Sequence, residues 1–282
     1  MDKIVLSGFA DEISSSLDRQ IQVLKKLGIS HMEIRGVEKK GIDTYTTEEV
    51  KEIKGKLDDQ GIAISSLASP IGKINIKDDF TPHLEHFKHV AELAHVLNTR
   101  YIRMFSFYMP KDANPADYRE EVFARLKVLI QEAEKTDIVL LHENEKGIYG
   151  DTDLRCLDLM ENLGCDHFRA VFDFANFIQC GVETVPAYQR LKPYIDYIHI
   201  KDAVAETGTV VPPGMGDGHL AEILAGFKAD GYTGFLSLEP HLTNFTGLSG
   251  LEKDADHRDT VLTGEQAFTL AHDSLIDILK KI

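Results

Sequence analysis

Apolar and polar positions along the chain alternate between two spacings. Short apolar runs, typical of buried strands, are followed by segments in which apolar residues recur every three or four positions, as on one face of a helix. The first pair is a strand from Lys3 to Phe9 and a helix from Ile13 to Leu27, which ends at Gly28. Further strands are predicted at 31–35, 62–67, 101–107, 138–143, 168–172, 195–200 and 235–238. Helices are predicted at 47–57, 84–97, 118–133, 154–163, 220–230 and 261–279, with one more after the sixth strand that is broken around Pro186.

Eight strand and helix pairs follow one another in 282 residues, without a linker or a shift in composition. This order is typical of the α/β class and predicts one domain over residues 1–282, a (β/α)8 TIM barrel. The alternative is a doubly wound, Rossmann-like sheet. The first strand is not followed by the GxGxxG motif of that fold, so the barrel is the favoured prediction.

Charge and composition exclude several classes of partner. The formal net charge is −15, which opposes binding to nucleic acid and to anionic membranes. We find neither a signal peptide nor an apolar run long enough to span a bilayer, and Cys156, Cys165 and Cys180 do not have the spacing of a zinc site. These features predict a cytoplasmic protein with free thiols.

Strands five to eight each end in a side chain that can bind a metal. The four residues are Glu143, Asp173, His199 and Glu239. Side chains alternate between the two faces of a strand, so these four share a face with Leu141, Val171, Tyr197 and Ser237 two positions earlier. In a barrel that face points inward, and chemistry lies at the carboxyl ends of the strands. The pattern therefore predicts that the four side chains converge.

Three converging carboxylates repel one another unless a cation lies between them. Oxygen ligands with one imidazole suit Mn²⁺ best, while Mg²⁺, Co²⁺ and Zn²⁺ also fit. A single acidic residue at a strand end is more often a helix cap or a solvated loop residue, and a single histidine in a strand is more often part of the core. Four successive strand ends of this kind favour one divalent metal ion.

Several motifs resemble the xylose-isomerase-like TIM-barrel superfamily of sugar phosphate isomerases and epimerases. They are Phe172-Asp173 with Asn176, His199 with Lys201 and Asp202, the glycine-rich loop 214–218, and Leu238-Glu239-Pro240. The resemblance extends from Ser7 to at least His241. It implies that Glu143, Asp173, His199 and Glu239 bind one metal ion and that Glu143 and Glu239 are catalytic, transferring the proton.

The resemblance and the ligand set together predict a metal-dependent isomerase or epimerase. The substrate would be a small carbohydrate or cyclitol, and the reaction would remove a proton next to a carbonyl through an enediolate. A dehydratase of a keto-inositol (inosose) is the alternative, because it begins with the same proton abstraction. A non-catalytic sugar-binding barrel and an enzyme like endonuclease IV are less favoured. The resemblance also allows a homo-oligomer.

The substrate-binding residues are predicted less directly. Ketose 3-epimerases similar to this chain carry a histidine where Asn176 stands and an arginine shortly after the seventh strand's histidine, where residues 203–206 contain none. These departures make a ketohexose 3-epimerase a less favoured prediction. We predict that substrate is bound by Asn176, Lys201, Arg103, Glu145 and His241.

Some roles stay open between function and structure. Lys201 could bind substrate or form an ion pair with a neighbouring carboxylate. Glu33, Arg35 and Arg103 could orient Glu143 or the substrate, or form an interior layer of ion pairs. A phosphate could be held by the backbone N–H groups of Gly216-Asp217-Gly218, before the helix at Leu220, but Asp217 and the net charge favour an unphosphorylated substrate.

Overall fold

The computed structural model describes residues 4–245 and 261–282. The barrel strands are β1 (Val5–Gly8), β2 (His31–Ile34), β3 (Ala63–Ala68), β4 (Tyr101–Met104), β5 (Val139–Glu143), β6 (Phe168–Asp173), β7 (Ile195–Ile200) and β8 (Phe235–Leu238). The predicted strand positions are confirmed, apart from Lys3, which lies outside the described residues. No helix in the described ranges is sufficiently long and apolar to cross a bilayer.

The strands form one parallel sheet in which hydrogen-bonded neighbours follow the order β1, β8, β7, β6, β5, β4, β3, β2. Strands β1 and β2, at the two ends of this order, lie against each other and bring the sheet round into a barrel. The predicted (β/α)8 barrel is therefore confirmed, and the Rossmann-like alternative is wrong. Parallel strands place all their carboxyl ends at one rim.

The helices cover the outside of the barrel. They are α1 (Leu17–Lys26), α2 (Thr47–Asp59), α3 (Phe80–Val96), α4 (Arg119–Lys135), α5 (Asp153–Leu163), α6 (Phe174–Gln179), α7 (Thr184–Leu191), α8 (Leu220–Ala229) and α9 (Gly264–Lys281). Short 3-10 turns lie at Ala10–Glu12, Ile42–Thr44, Pro115–Tyr118 and Lys192–Tyr194. Two hairpins, Gly36–Val37 with Lys40–Gly41 and Asp202–Ala203 with Val210–Val211, extend the loops after β2 and β7. Capping boxes at Thr46 and Thr263 fix the starts of α2 and α9.

The helical segment after β6 is broken at a different place from the predicted one. Helix α6 ends at Gln179, and Gly181 then takes a positive φ of 71°. Pro186 lies in the first turn of α7, where its missing N–H costs no helical hydrogen bond. The glycine therefore marks the break, and the proline is accommodated at a helix start.

Side chains fill the barrel interior below the carboxyl rim. Val139, Leu141, Val171 and Tyr197 pack together inside the barrel. Above them the Tyr197 hydroxyl lies 2.8 Å from Ser65 Oγ, which lies 2.6 Å from Ser7 Oγ. Small serine side chains leave room for larger groups one layer higher. This inward alternation sets the direction of the side chains at the strand ends.

Candidate metal centre and active site

The four predicted ligands meet at the carboxyl rim of the barrel. Glu143 and Asp173 end β5 and β6, His199 lies one residue before the end of β7, and Glu239 directly follows β8. All four are buried, and one ligand atom from each lies within 4.8 Å of the others. The structure thus brings together the side chains that the sequence pattern placed on one face.

His199 lies at the centre of the cluster and is held from below. Its Nε2 is 3.2 Å from Glu33 Oε2, while Nδ1 is 3.1 Å from Glu143 Oε1 and 3.5 Å from Glu239 Oε2. The ring packs edge-on against Phe9, with centroids 5.1 Å apart. Glu33 and Glu143 outweigh the effect of burial and raise the pKa of His199 well above its ordinary value. With Nε2 donating to Glu33, Nδ1 faces the other ligands.

Glu143 is held in its ionised form by two neighbours. Arg103 Nη1 donates to its Oε2 over 2.9 Å, and His199 approaches Oε1. Burial acts to raise the pKa of Glu143, but His199 and Arg103 outweigh it and lower the pKa to about 2. Asn176 Nδ2 donates to Oε1 over 3.2 Å. Arg103 therefore orients Glu143, one of the two roles that the sequence left open.

Glu239 has a similar set of partners from other elements. Lys201 Nζ lies 3.0 Å from Oε2, and Arg35 Nη1 donates to Oε1 over 3.1 Å. Despite burial, Lys201 and His241 lower the pKa of Glu239 well below its ordinary value. Arg35 is itself fixed by two hydrogen bonds to Asp11, at 2.8 and 3.2 Å. Both glutamates are thus ionised and held by cationic groups.

Asp173 differs from the two glutamates in its charge state. Its Oδ1 accepts a hydrogen bond from the Asn176 N–H, and Lys201 Nζ lies 2.9 Å from Oδ2. No described group gives Oδ2 a well-aligned hydrogen bond. Burial, reinforced by Glu143 and Glu239, raises the pKa of Asp173 to about 7 despite Lys201. Asp173 is therefore the carboxyl group of the cluster that holds a proton near neutral pH, whereas both glutamates are ionised.

These residues fit a divalent cation. Ligand atoms that surround an ion at roughly 2.0 to 2.2 Å are at most about 4.4 Å apart, and the ligand atoms here, which lie within 4.8 Å of one another, are close to that spacing. The buried Oδ2 of Asp173, without a well-aligned donor among the described residues, offers a free lone pair. Three carboxylates and one imidazole can bind Mn²⁺, Mg²⁺, Co²⁺ or Zn²⁺.

A second acidic cluster shares Glu239. Ligand-type atoms of Glu12, Glu239 and His241 also lie within 4.8 Å of one another. Arg35 already bridges this group, because its Nη2 is 3.2 Å from Glu12 and its Nη1 is 3.1 Å from Glu239. Glu12 in turn accepts a hydrogen bond of 2.7 Å from the backbone N–H of His241. We interpret this cluster as a support for Glu239 and His241.

The residues next to Glu143 in the sequence have separate roles. His142 faces out of the barrel, where its Nε2 lies 2.9 Å from Ser106 Oγ and its ring packs against Phe168. Asn144 joins β5 to β6 through hydrogen bonds with the backbone N–H and C=O of Asp173. Glu145 lies at the mouth beside Lys73, 3.4 Å from its Nζ. Lys146 Nζ donates to Gln179 over 3.0 Å.

Three functional candidates were missed by the sequence reasoning. Asp11 and Glu12 follow β1 and hold Arg35 and His241. They stand two and three positions after Phe9, the predicted end of the first strand, so a search of the residues that follow each strand could have found them. Lys73 lies in the loop before α3, and its partner Glu145 is 72 positions away. No motif in the sequence marks that pair.

The backbone N–H groups of Gly214, Gly216 and Gly218 in the glycine-rich loop are not available to bind a phosphate. The backbone N–H groups of Gly214, Gly216 and Gly218 donate to the Asp202 carboxylate at 2.8, 3.0 and 3.0 Å. Asp217 Oδ2 accepts from the N–H of Ala205. The buried Asp202 carboxylate therefore holds the loop in place. It accepts hydrogen bonds from the backbone N–H groups that a phosphate would need.

Comparison with known proteins agrees with this architecture. Residues 21–261 match the sequence profile described as xylose isomerase-like TIM barrel. The chain belongs to this family. A curated relative is 3-dehydroshikimate dehydratase of Bacillus anthracis, 21% identical over 182 residues, which are 64% of this chain and 65% of the relative. The match therefore spans just under two thirds of the relative's length.

Solved structures of the family share the fold. The probable dehydratase of B. anthracis superposes with a TM-score of 0.74 at 18% identity, over 97% of this chain and 99% of that one. The 3-keto-D-glucoside 4-epimerase of E. coli gives 0.71 at 16% identity, over 99% of each chain. The IolI protein, solved with a zinc atom, gives 0.74 at 17%, also over 99% of each. At these identities the likeness concerns the fold alone.

The charge states of this family member predict pH-dependent metal binding. Asp173, with a pKa of about 7, and His199, with a pKa raised well above its ordinary value, both hold protons that a metal ion must displace. We expect the apparent affinity for Mn²⁺ to rise with pH by up to about tenfold per unit for each proton displaced, most steeply below about pH 7, where Asp173 also holds its proton. Calorimetric titration between about pH 6 and pH 8 measures this slope. An affinity that falls with rising pH would contradict the ligand assignment.

Proposed function

We propose that this protein is a divalent-metal-dependent isomerase or epimerase of a small carbohydrate or cyclitol, which transfers a proton at the carbon next to a carbonyl. One observation carries the proposal: two ionised glutamates, Glu143 and Glu239, reach the same buried cluster from β5 and β8. Asp173 and His199 complete a set that would hold one metal ion, for which Mn²⁺ is the first choice. The named relatives are enzymes, which supports a catalytic role.

In the proposed reaction, the metal ion, the two glutamates and the two arginines have different roles. The bound metal ion would supply Lewis acidity toward the substrate carbonyl. One glutamate accepts the proton from the carbon, which it can do because it is ionised at neutral pH. The other glutamate, which reaches the cluster from a different strand, returns a proton that it must first take up from solvent before the substrate binds. Arg103 and Arg35 hold these carboxylates in place. The near-complete burial of the site excludes bulk water from the reacting carbon.

The remaining predicted residues would bind substrate at the rim. Asn176 is an amide with donor and acceptor capacity beside Glu143, and Lys201 is an ammonium between Asp173 and Glu239. His241 lies 3.4 Å from Glu239, and Glu145 lies at the mouth. Because the amides of the loop 214–218 are occupied by Asp202, we favour an unphosphorylated substrate.

A dehydratase is the second candidate, and the relative from B. anthracis is the observation that favours it. Elimination begins with the same proton abstraction next to a carbonyl and then expels a hydroxyl group as water. The ligands and glutamates would serve either reaction. The choice therefore depends on the substrate and its leaving group.

A substrate panel with added Mn²⁺ in deuterated water tests both candidates. We expect one ketose, inosose, 3-keto-glucoside or 3-dehydroshikimate to incorporate deuterium next to the carbonyl. Products analysed by mass spectrometry and NMR distinguish the reactions, since an isomer or epimer keeps its formula and a dehydratase product lacks one water. Metal binding without deuterium incorporation or water loss in any compound would indicate a non-catalytic sugar-binding barrel.

A further inference from the structure

Lys73 brings an additional positive charge to the mouth of the barrel. It lies in the loop between β3 and α3, and its side chain is 13% exposed. The ammonium is 4.2 Å from the centroid of the Phe105 ring and 3.4 Å from Glu145 Oε2. An ammonium has three N–H donors, and Glu145 is the one hydrogen-bond acceptor that the described residues give it. Lys73 therefore retains donors for a ligand.

Arg103 approaches the same aromatic ring from β4. Its Cζ is 4.8 Å from the Phe105 centroid, and its Nη1 donates to Glu143. The Nε–H group is buried and finds no acceptor among the described residues. Arg103 is only 4% exposed, so this donor is closed off from bulk water. A buried guanidinium N–H without an acceptor is uncommon, and it marks a position where an acceptor on a ligand would fit.

Two like charges beside one ring repel each other. Burial lowers the pKa of Lys73 and Arg103 lowers it further, while Glu145, Glu143 and Glu239 raise it without cancelling the effect of burial. The protein carries a net charge of −15, yet two cations contact this one ring, Lys73 beside Glu145 and Arg103 beside Glu143. An anion that reached both cations would accept from the unused donors of Lys73 and from the Arg103 Nε–H.

We propose that Lys73 and Arg103 bind a carboxylate of the substrate, so that the enzyme acts on an acidic sugar or cyclitol derivative. This inference rests on the proposed function and adds a substrate class to it. A carboxylate fits better than a phosphate, because the amides of the loop 214–218 are taken by Asp202. Since Arg103 also holds Glu143, the carboxylate would lie next to the proposed base.

A pair of ligands that differ only in this charge tests the inference. Shikimate and its methyl ester share their ring hydroxyls, and neither has a ketone to be turned over. We expect the Mn²⁺-loaded full chain to bind shikimate about 10- to 100-fold more tightly than the ester in calorimetric titration. Lys73→Gln should lose this preference. Lys77→Gln is the matched control, because Lys77 lies in the same loop with its ammonium 5.7 Å from the Tyr118 ring, and it should retain the preference.

Several outcomes would overturn the inference. They are equal affinity of the wild type for acid and ester, failure of the wild type to bind shikimate, and a retained preference in Lys73→Gln. Stronger competition by inorganic phosphate than by shikimate would overturn the choice of carboxylate. These measurements do not depend on turnover. If the wild type exchanges no proton of any substrate, the proposed function fails while the comparison of acid and ester still decides the substrate class.

Discussion

Replacement of Glu143 or Glu239 by glutamine is expected to lower conversion of the substrate by about 10² to 10⁴-fold in either variant. Glutamine keeps the size of the side chain but cannot accept a proton from carbon. Both carboxylates are ionised at neutral pH, because neighbouring cationic groups lower their pKa. The loss should therefore appear in kcat at saturating substrate. It is measured by product formation and by deuterium incorporation at the carbon next to the carbonyl.

Controls separate chemistry from metal binding and folding. Both variants are assayed at saturating Mn²⁺, because each also loses a charged ligand, and bound metal is quantified by elemental analysis. Glu48→Gln is the matched control, since this glutamate is 78% exposed on α2, outside the barrel rim. It should leave conversion unchanged. Wild-type conversion and exchange in both active-site variants, with circular dichroism unchanged, would refute the mechanism with two glutamates.

The sequence was sufficient for the barrel and for the positions of the four ligand-type residues. The alternation of apolar runs with helical spacing depends on local geometry, which a single chain displays directly. Strand ends in a parallel barrel share one rim, so four successive acidic or imidazole residues could be placed together without coordinates. The same parity separates His142 from Glu143, because consecutive strand residues face opposite sides.

The supporting network could be predicted only in part. Arg35 and Arg103 have the inward parity, but their choice between carboxylates depends on distances across the barrel. Lys73 contacts Glu145 through loops, whose backbone path does not follow a period. The contacts of Asp202 could not be predicted from the sequence either. The sequence favoured an unphosphorylated substrate, but it did not show that Asp202 accepts hydrogen bonds from three glycine amides of the loop 214–218.

His199→Ala is expected to remove most metal binding, because it deletes the one nitrogen ligand of the four. Loss of a partner that only orients a ligand typically costs about 10 to 100-fold in affinity, and loss of the ligand itself should cost at least as much. Glu33→Gln tests that orienting contact, since Glu33 Oε2 lies 3.2 Å from His199 Nε2 on the side away from Glu143. We expect Glu33→Gln to weaken Mn²⁺ binding less than His199→Ala does.

His142→Ala is the matched control for both variants. This histidine is also buried, and it adjoins a ligand in sequence, but it faces Ser106 and Phe168 outside the barrel. Its removal should lower stability and leave the affinity for Mn²⁺ near that of the wild type. Elemental analysis after dialysis and calorimetric titration measure the series. An unchanged affinity in His199→Ala would show that the cluster binds its cation without the imidazole. His142 lies on β5 beside Glu143 but faces the other side of the strand, so its removal should not touch the metal ligands. If His142→Ala lost as much Mn²⁺ affinity as His199→Ala, the loss in both variants would be due to impaired folding.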